Sequence, residues 1–457
     1  MANILPSPIK RRRWLITFLL MCCAPIIGYM VTLSPLLILA AGLAIFAGIC
    51  MLFKPIIAVY LLVIGTAFDS INVSVGFALL GMGDLAAFAL LPVWLAHRLI
   101  RLKDLQWPIG THFLVAYFVL CAASMLVGVE PARGYTTFVR SAFCVVSLFA
   151  IVDLIRDSEQ LENILLLIAG CAFLHAVFGL SMPMAATGRI GGLENQPNLL
   201  GAKIAFGLFP MAALYFRQRG ALKRLLISAA VLTMMAAIIL TISRGTYIGV
   251  LAGILFWLRR SPRLMFLMAA VSALTFFSLD RITENRVERI EKRLAFDGTS
   301  VTNRGAVAKN ALRVVAQHPV FGVGFGQFTQ LDEAIDVTAE AGRGGHSFYL
   351  STAASAGLPA LFAFLLFALS QIRQFGANRI TLMKDLNRQG PTNERKLWVL
   401  NVFQIMLVFH GVHLVVRGSQ RWMDWVMFSL YAATAVVIKH SWREREAETD
   451  TRRAKSS

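Results

Sequence analysis

The feature that most constrains this chain is the recurrence of apolar stretches with no internal formal charge, such as residues 163–180 and 225–242. A helix needs about 20 such residues to cross the hydrocarbon core of a bilayer, and helices satisfy their own backbone polar groups there. The pattern predicts spans near 14–32, 35–53, 55–68, 84–96, 111–128, 135–154, 163–180, 198–216, 225–242, 246–258, 264–279, 347–370, 397–414 and 424–440. The third, fourth and tenth are short for full crossings, so the expected number is twelve to fourteen. Composition removes the soluble alternative. The chain is 57% hydrophobic and 15% charged, where soluble domains carry about 25% charged residues. The expected fold class is all-α: a polytopic helical membrane protein.

A net charge of +19 raises the question of nucleic acid, which the placement of the basic residues answers. They cluster between spans, in Lys10 to Arg13, Arg98 to Lys103, Arg217 to Arg224, Arg259 to Arg263, Arg373 to Lys396 and Lys439 onward. Alternate connections hold only Arg133, Arg189, Arg244, Arg417 and Arg421. Under the positive-inside rule this asymmetry puts both termini in the cytoplasm. The basic N-terminal segment lacks a clear small-residue cleavage site after its apolar run, so it reads as a retained first span. Residues 280–345 then form one long extracytoplasmic loop subdomain with nine basic and nine acidic residues. Membrane lipid is an expected partner and nucleic acid is not.

Six cysteines, at 22, 23, 50, 121, 144 and 171, all lie in apolar runs. They read as small apolar residues, with neither a disulfide framework nor a zinc site. The polar tail 442–457 is expected to be disordered.

Within the long segment, residues 281–294 alternate in charge and predict a solvent-facing helix. In NRGAVAKNALRVVAQHP, Val307, Ala308, Ala311, Leu312 and Val315 recur at helical spacing and predict one apolar face with Arg304 at its centre. A buried guanidinium there needs an anionic partner. FGVGFGQF follows, with glycines at 322, 324 and 326 that permit close backbone approach in a tight turn. His346 stands at the mouth of the next span, with a side chain suited to accept a hydroxyl proton near neutral pH. Arg189, in TGRIGGLENQPNLLG, is accompanied by Glu194, Asn195 and Asn198. Arg244 interrupts an otherwise apolar run, with Ser243 before it and Gly245 after it, a pattern that predicts a turn facing a cavity at membrane depth. Each alone is more simply a snorkelling arginine or a structural histidine. Together they suit one task, because guanidinium groups bind phosphate oxygens bidentately. Arg189, Arg244 and Arg304 are candidates to hold a lipid-linked diphosphate, with Ser243 beside them and His346 serving the acceptor. No acidic cluster with metal-ligand spacing accompanies them, so no metal and no cofactor are expected.

These residues carry a resemblance to the O-antigen ligase and O-antigen polymerase superfamily of bacterial envelope enzymes. It runs from about Arg189 to Leu361: a GR-x-x-G...N-x-P-N-x-x-G element, a span ending in SRG, an R...HP-x-x-GVG-x-G-x-F element and an H-x-x-YL...G-x-x-x-LF element. The resemblance implies a GT-C-like transferase of the bacterial inner membrane with a periplasmic site. It would move a glycan from an undecaprenyl-diphosphate-linked donor to a sugar hydroxyl, on lipid A core or on a growing polysaccharide acceptor. By the same resemblance Arg189 and Arg244 match the diphosphate-binding arginines, His346 the residue that orients or deprotonates the acceptor, and Arg304 a further loop arginine. Ser347 departs from the pattern, since many relatives place asparagine after the histidine. The chain divides accordingly into an N-terminal transmembrane bundle (1–180), a catalytic region (181–372), C-terminal transmembrane helices (373–441) and the tail. A flippase or transporter of lipid-linked glycans is the alternative. Such proteins usually carry ionisable residues within their spans and show an internal repeat, and no repeat is visible here.

Overall fold

A computed structural model describes residues 46–456, apart from 76–77, 102–104, 129, 184–188, 260–298, 329–346, 385 and 416–421. The expected spans at 14–32 and 264–279, most of that at 35–53, and the helix expected at 281–294 lie outside the described residues.

The described chain is almost entirely helical: α1 (Ile56–Ala67), α2 (Met82–Arg101), α3 (Thr111–Val127), α4 (Pro131–Leu154), α5 (Ser158–Ser181), α6 (Pro197–Arg217), α7 (Ala221–Thr241), α8 (Arg244–Leu258), α9 (Thr299–Gln317), α10 (Phe348–Lys384), α11 (Leu386–His413) and α12 (Trp422–Ser456). Seven described helices are long and apolar enough to cross a membrane, and α1, α3 and α8 are shorter apolar helices. Boundaries follow local signals. Asp157 accepts a hydrogen bond from Gln160 N at the start of α5, and proline opens both α4 and α6, where the missing N–H costs nothing.

One described element among the helices is a short hairpin. Between α1 and α2 the chain makes a two-stranded antiparallel hairpin, β1 (Asn72–Val75) and β2 (Ala78–Gly81), with Asn72 opposite Gly81 and Val75 opposite Ala78. Two carboxylates close it onto α2: Asp69 Oδ1 accepts from Gly83 N at 3.0 Å and Asp84 Oδ2 from Gly81 N at 3.1 Å.

Neighbouring helices pack in antiparallel succession, α5 on α6 and α6 on α7, while α8 lies against α11 and α10 against α3. The core between them is aromatic, with Phe206, Phe403, Phe409, Phe364 and Tyr431 almost wholly buried. Phe206 and Phe409 meet edge to face at 5.0 Å, a favoured arrangement of ring quadrupoles.

Helix α9 and the glycine-rich segment after it dock on α10. Gly322, Gly324 and Gly326 take φ of 62°, 117° and 80°, a region open at low cost only to glycine. A Cβ on Gly322 would sit 2.4 Å from Ala354 O, which is the close approach the motif predicts. At Gly357, φ 85°, α10 breaks ahead of Pro359. The incoming segment takes up the bonds released there: Val323 N donates to Ala354 O, Gly324 N to Ser355 O, and Leu358 N to Pro319 O. The apolar face expected of α9 docks here at Ala311 and Val315 and is corrected at Leu312. Ala311 and Val314 are buried against Val323, Phe328 and Ala354, with Val315 packed beside them, whereas Leu312 is 56% exposed.

Candidate active site

The ends of α1, α5, α7 and α11 and the starts of α2, α6, α8, α10 and α12 gather at one end of the bundle. Trp422 Nε1 donates to Asp84 at 2.6 Å, Phe348 N to Leu414 O at 2.9 Å, Lys203 Nζ to Ala67 O at 2.6 Å and Ile190 N to Leu240 O at 3.2 Å.

Its centre is the break between α7 and α8. Ile242 holds φ 47° and ψ 45°, a left-handed conformation strained for a β-branched side chain. The strain persists because the surroundings over-determine it. The last carbonyls of a helix have no partner within it. Here Leu240 O accepts from Ile190 N and Thr241 O from Arg189 Nε at 2.7 Å. Ile242 N turns back to Ile239 O. The break expected around Arg244 is therefore present, but Ile242, and not Gly245, carries the unusual backbone.

Arg189 is thus part of the joint itself. A second bond runs from NH2 to Asn198 Oδ1 at 2.8 Å, in the first turn of α6, so the guanidinium bridges α6 and α7. Arg244 opens α8 with Ser243 as its N-cap residue. A helix start favours anions through its free N–H groups and dipole. The structure therefore brings Arg189, Asn198, Ser243 and Arg244 to one break. Ser243 is buried, and its Oγ accepts from Thr246 Oγ1 at 2.9 Å, which gives it a local structural task. Close packing adds to the joint: a Cβ on Gly201 of α6 would lie 2.9 Å from Thr246 Oγ1 and 3.0 Å from Thr241 Oγ1.

Glu194 differs from its expected place among groups that touch substrate. It closes the 3-10 turn Gly192–Glu194, and its carboxylate, 1% exposed, pairs with Lys203 Nζ at 2.6 Å. Asn195 is exposed at φ 50°, a position asparagine tolerates better than most residues. Arg304 lies on α9, with its side chain outside the described residues, as is the whole of His346. The residues after His346 are placed: Ser347 Oγ accepts from Leu350 N at 3.4 Å at the start of α10, and Tyr349 Oη donates to Gly411 O. Ser347 thus supplies an N-cap oxygen, a task that asparagine performs as well.

Sequence reasoning missed three polar groups at this end. Lys203 is one. Asp84 is another, accepting from Arg140, Gly81 N and Trp422. The third is His410, whose Nε2 lies 3.1 Å from Asp424 Oδ1 with both side chains 1% exposed. Single charges within apolar runs were the available signal. Asp69, in the turn after α1, has its carboxyl raised above the usual range, chiefly by burial and against the hydrogen bond from Gly83 N.

No curated protein matches the chain. Among solved structures, a chain from work entitled "Structural coordination of polymerization and crosslinking by a peptidoglycan synthase complex" aligns with 13% identity over 72% of this chain and 96% of that one, at a TM-score of 0.42. That score is too low to bear on fold or function. Residues 229–365, which take in Arg244, Arg304, His346 and the α10 break, match the family model described as O-antigen ligase.

Proposed function

We propose that the protein transfers a glycan from undecaprenyl diphosphate to a sugar hydroxyl at the periplasmic face of a bacterial inner membrane, in cell-surface polysaccharide synthesis. The family match supports a membrane glycosyltransferase of the O-antigen ligase or polymerase type. The observation that carries the donor is the joint between α7 and α8, where Arg189 is oriented by Thr241 O and Asn198 beside the helix start that bears Arg244. In this reading the acceptor oxygen forms a bond to the anomeric carbon while the bond from that carbon to the diphosphate oxygen breaks. His346 takes the hydroxyl proton, and undecaprenyl diphosphate leaves with its charge held by the guanidinium groups. Arg304 is assigned to the same anion. Asn195 and Asn198 offer hydrogen bonds to the sugars beside it.

Ligase and polymerase share this leaving group and differ in acceptor. Purified protein incubated with lipid-linked repeat units, with and without lipid A core, separates them: product only with the core marks a ligase, and lengthened lipid-linked chains without it mark a polymerase. Absence of any glycosidic product from a verified donor in both mixtures would sink the enzyme reading. The flippase alternative gains one point, since Lys203 is an ionisable residue inside a candidate span. It predicts movement of the lipid-linked glycan across proteoliposomes with no new glycosidic bond.

A further inference from the structure

Lys203 lies in the second turn of α6, a helix long and apolar enough to cross a membrane, yet its side chain is 5% exposed. A charge in such a place is costly and marks function more often than stability. A well-packed apolar pair of similar volume is commonly as stable as a buried ion pair, so stability alone does not account for Lys203 and Glu194. What the pair does is hold parts of the site together. Nζ donates to Glu194 Oε1 and to Ala67 O, both at 2.6 Å. Ala67 ends α1, so the ammonium caps that helix, where a cation is favoured, and His175 Nε2 meets the same carbonyl at 2.7 Å. Glu194 belongs to the connection that begins at Arg189 and reverses at Asn195 into α6.

That connection is consequently pinned at two points. One is Arg189 and Ile190 on the terminal carbonyls of α7, and the other is Glu194 on Lys203. Lys203 also follows by two residues Gly201, which packs on Thr241 and Thr246 at the α7–α8 break. We propose that Lys203 is a positioning residue for the donor diphosphate: through Glu194 it fixes the turn that sets Arg189 against the break. This inference rests on the diphosphate reading of the preceding section.

The test measures donor KM, acceptor KM and the Kd for undecaprenyl diphosphate on full-length protein in lipid nanodiscs. The expected result for Lys203→Met is a rise of about tenfold or more in donor KM and in Kd, with acceptor KM within about twofold of wild type, since small misplacements of binding groups are costly. Lys203→Arg, which keeps the cation, is expected to recover most of the affinity. A merely structural pair lowers the amount of folded protein but leaves KM and Kd of the folded fraction at wild-type values, and that outcome overturns the proposal. If Lys203→Met does not accumulate, Glu194→Gln supplies the same readout, because it removes the charge and retains an oxygen for Lys203. The two readings fail separately. Wild-type protein without affinity for undecaprenyl diphosphate removes the diphosphate reading and this proposal with it. Weakened binding in Arg189→Ala, with wild-type binding in Lys203→Met and Glu194→Gln, removes this proposal alone.

Discussion

The arginine at the α7–α8 joint is held differently from those at the other end of the bundle. At the end opposite the site, guanidinium groups meet carboxylates. Asp153, with its side chain fully buried, accepts from Trp94 Nε1 and Gln106 N and pairs with Arg98 at 3.2 Å and Arg156 at 2.8 Å. Glu162 pairs with Arg217 and with Arg395, and Arg217 also covers the ring of Trp398. At the site end Arg140 likewise pairs with Asp84, whereas at the α7–α8 joint Arg189 donates to a backbone carbonyl and an amide oxygen and the carboxylate nearest in sequence, Glu194, pairs with Lys203. Cations matched to carboxylates tie helices together. Bonds to neutral oxygens orient a guanidinium without themselves cancelling its charge.

This contrast can be broken by experiment. The largest effect is expected at the far end: Asp153→Ala leaves Arg98 and Arg156 without their shared carboxylate and should cost about 3 kcal/mol or more in stability, read by thermal unfolding in detergent, with the donor KM of the surviving protein unchanged. A shifted KM would mean that the two ends are not separate in function. At the site end, Arg244→Ala is expected to lower transfer by about a hundredfold or more, the usual loss on removing one charge-stabilising donor, at near-normal protein level. Product formation at wild-type rate would remove Arg244 from the mechanism. Gly357→Ala probes how the α9 segment seats on α10, since a Cβ there would stand 2.0 Å from Val320 O at a φ of 85°; a loss of about 1–3 kcal/mol follows from strain of this kind, and unfolding at the wild-type temperature would refute the docking.

The smallest effect concerns Asp69. Its carboxyl is raised in the folded protein, mainly by burial, so between the unfolded and folded values the folded state binds the extra proton. Stability therefore falls as pH rises through that interval. Asp69→Asn, which keeps an oxygen for Gly83 N, should flatten this acid-side slope. An identical slope in wild type and variant would show that the Asp69 carboxyl titrates alike in the folded and unfolded states.

Much of the bundle was legible from hydropathy alone, because a run such as 225–242 has one way to satisfy its backbone in lipid. The hairpin at 72–81 was not, since Asn72 and Ser74 alternating with valine over so few residues is indistinguishable from a loop until Asp69 and Asp84 are seen to close it. The face of α9 was misjudged at Leu312, because periodicity locates an apolar stripe but not the surface that covers it. At the site, the arginines were legible as charges out of place in apolar surroundings. The bonds that seat Arg189 on Thr241 and Asn198 were not.

By itself the sequence determined that this chain lives in a membrane, where its apolar runs lie, and which few cations interrupt them, because transfer of side chains from water to lipid is a local property of each segment. Only the tertiary structure decided that Arg189 completes the broken end of α7, that Glu194 turns away to Lys203, and that the glycine-rich segment replaces the bonds lost at Gly357. Those are pairings between groups distant along the chain. Hydrogen bonds and ion pairs depend on distance and direction in space, which no spacing along a sequence contains.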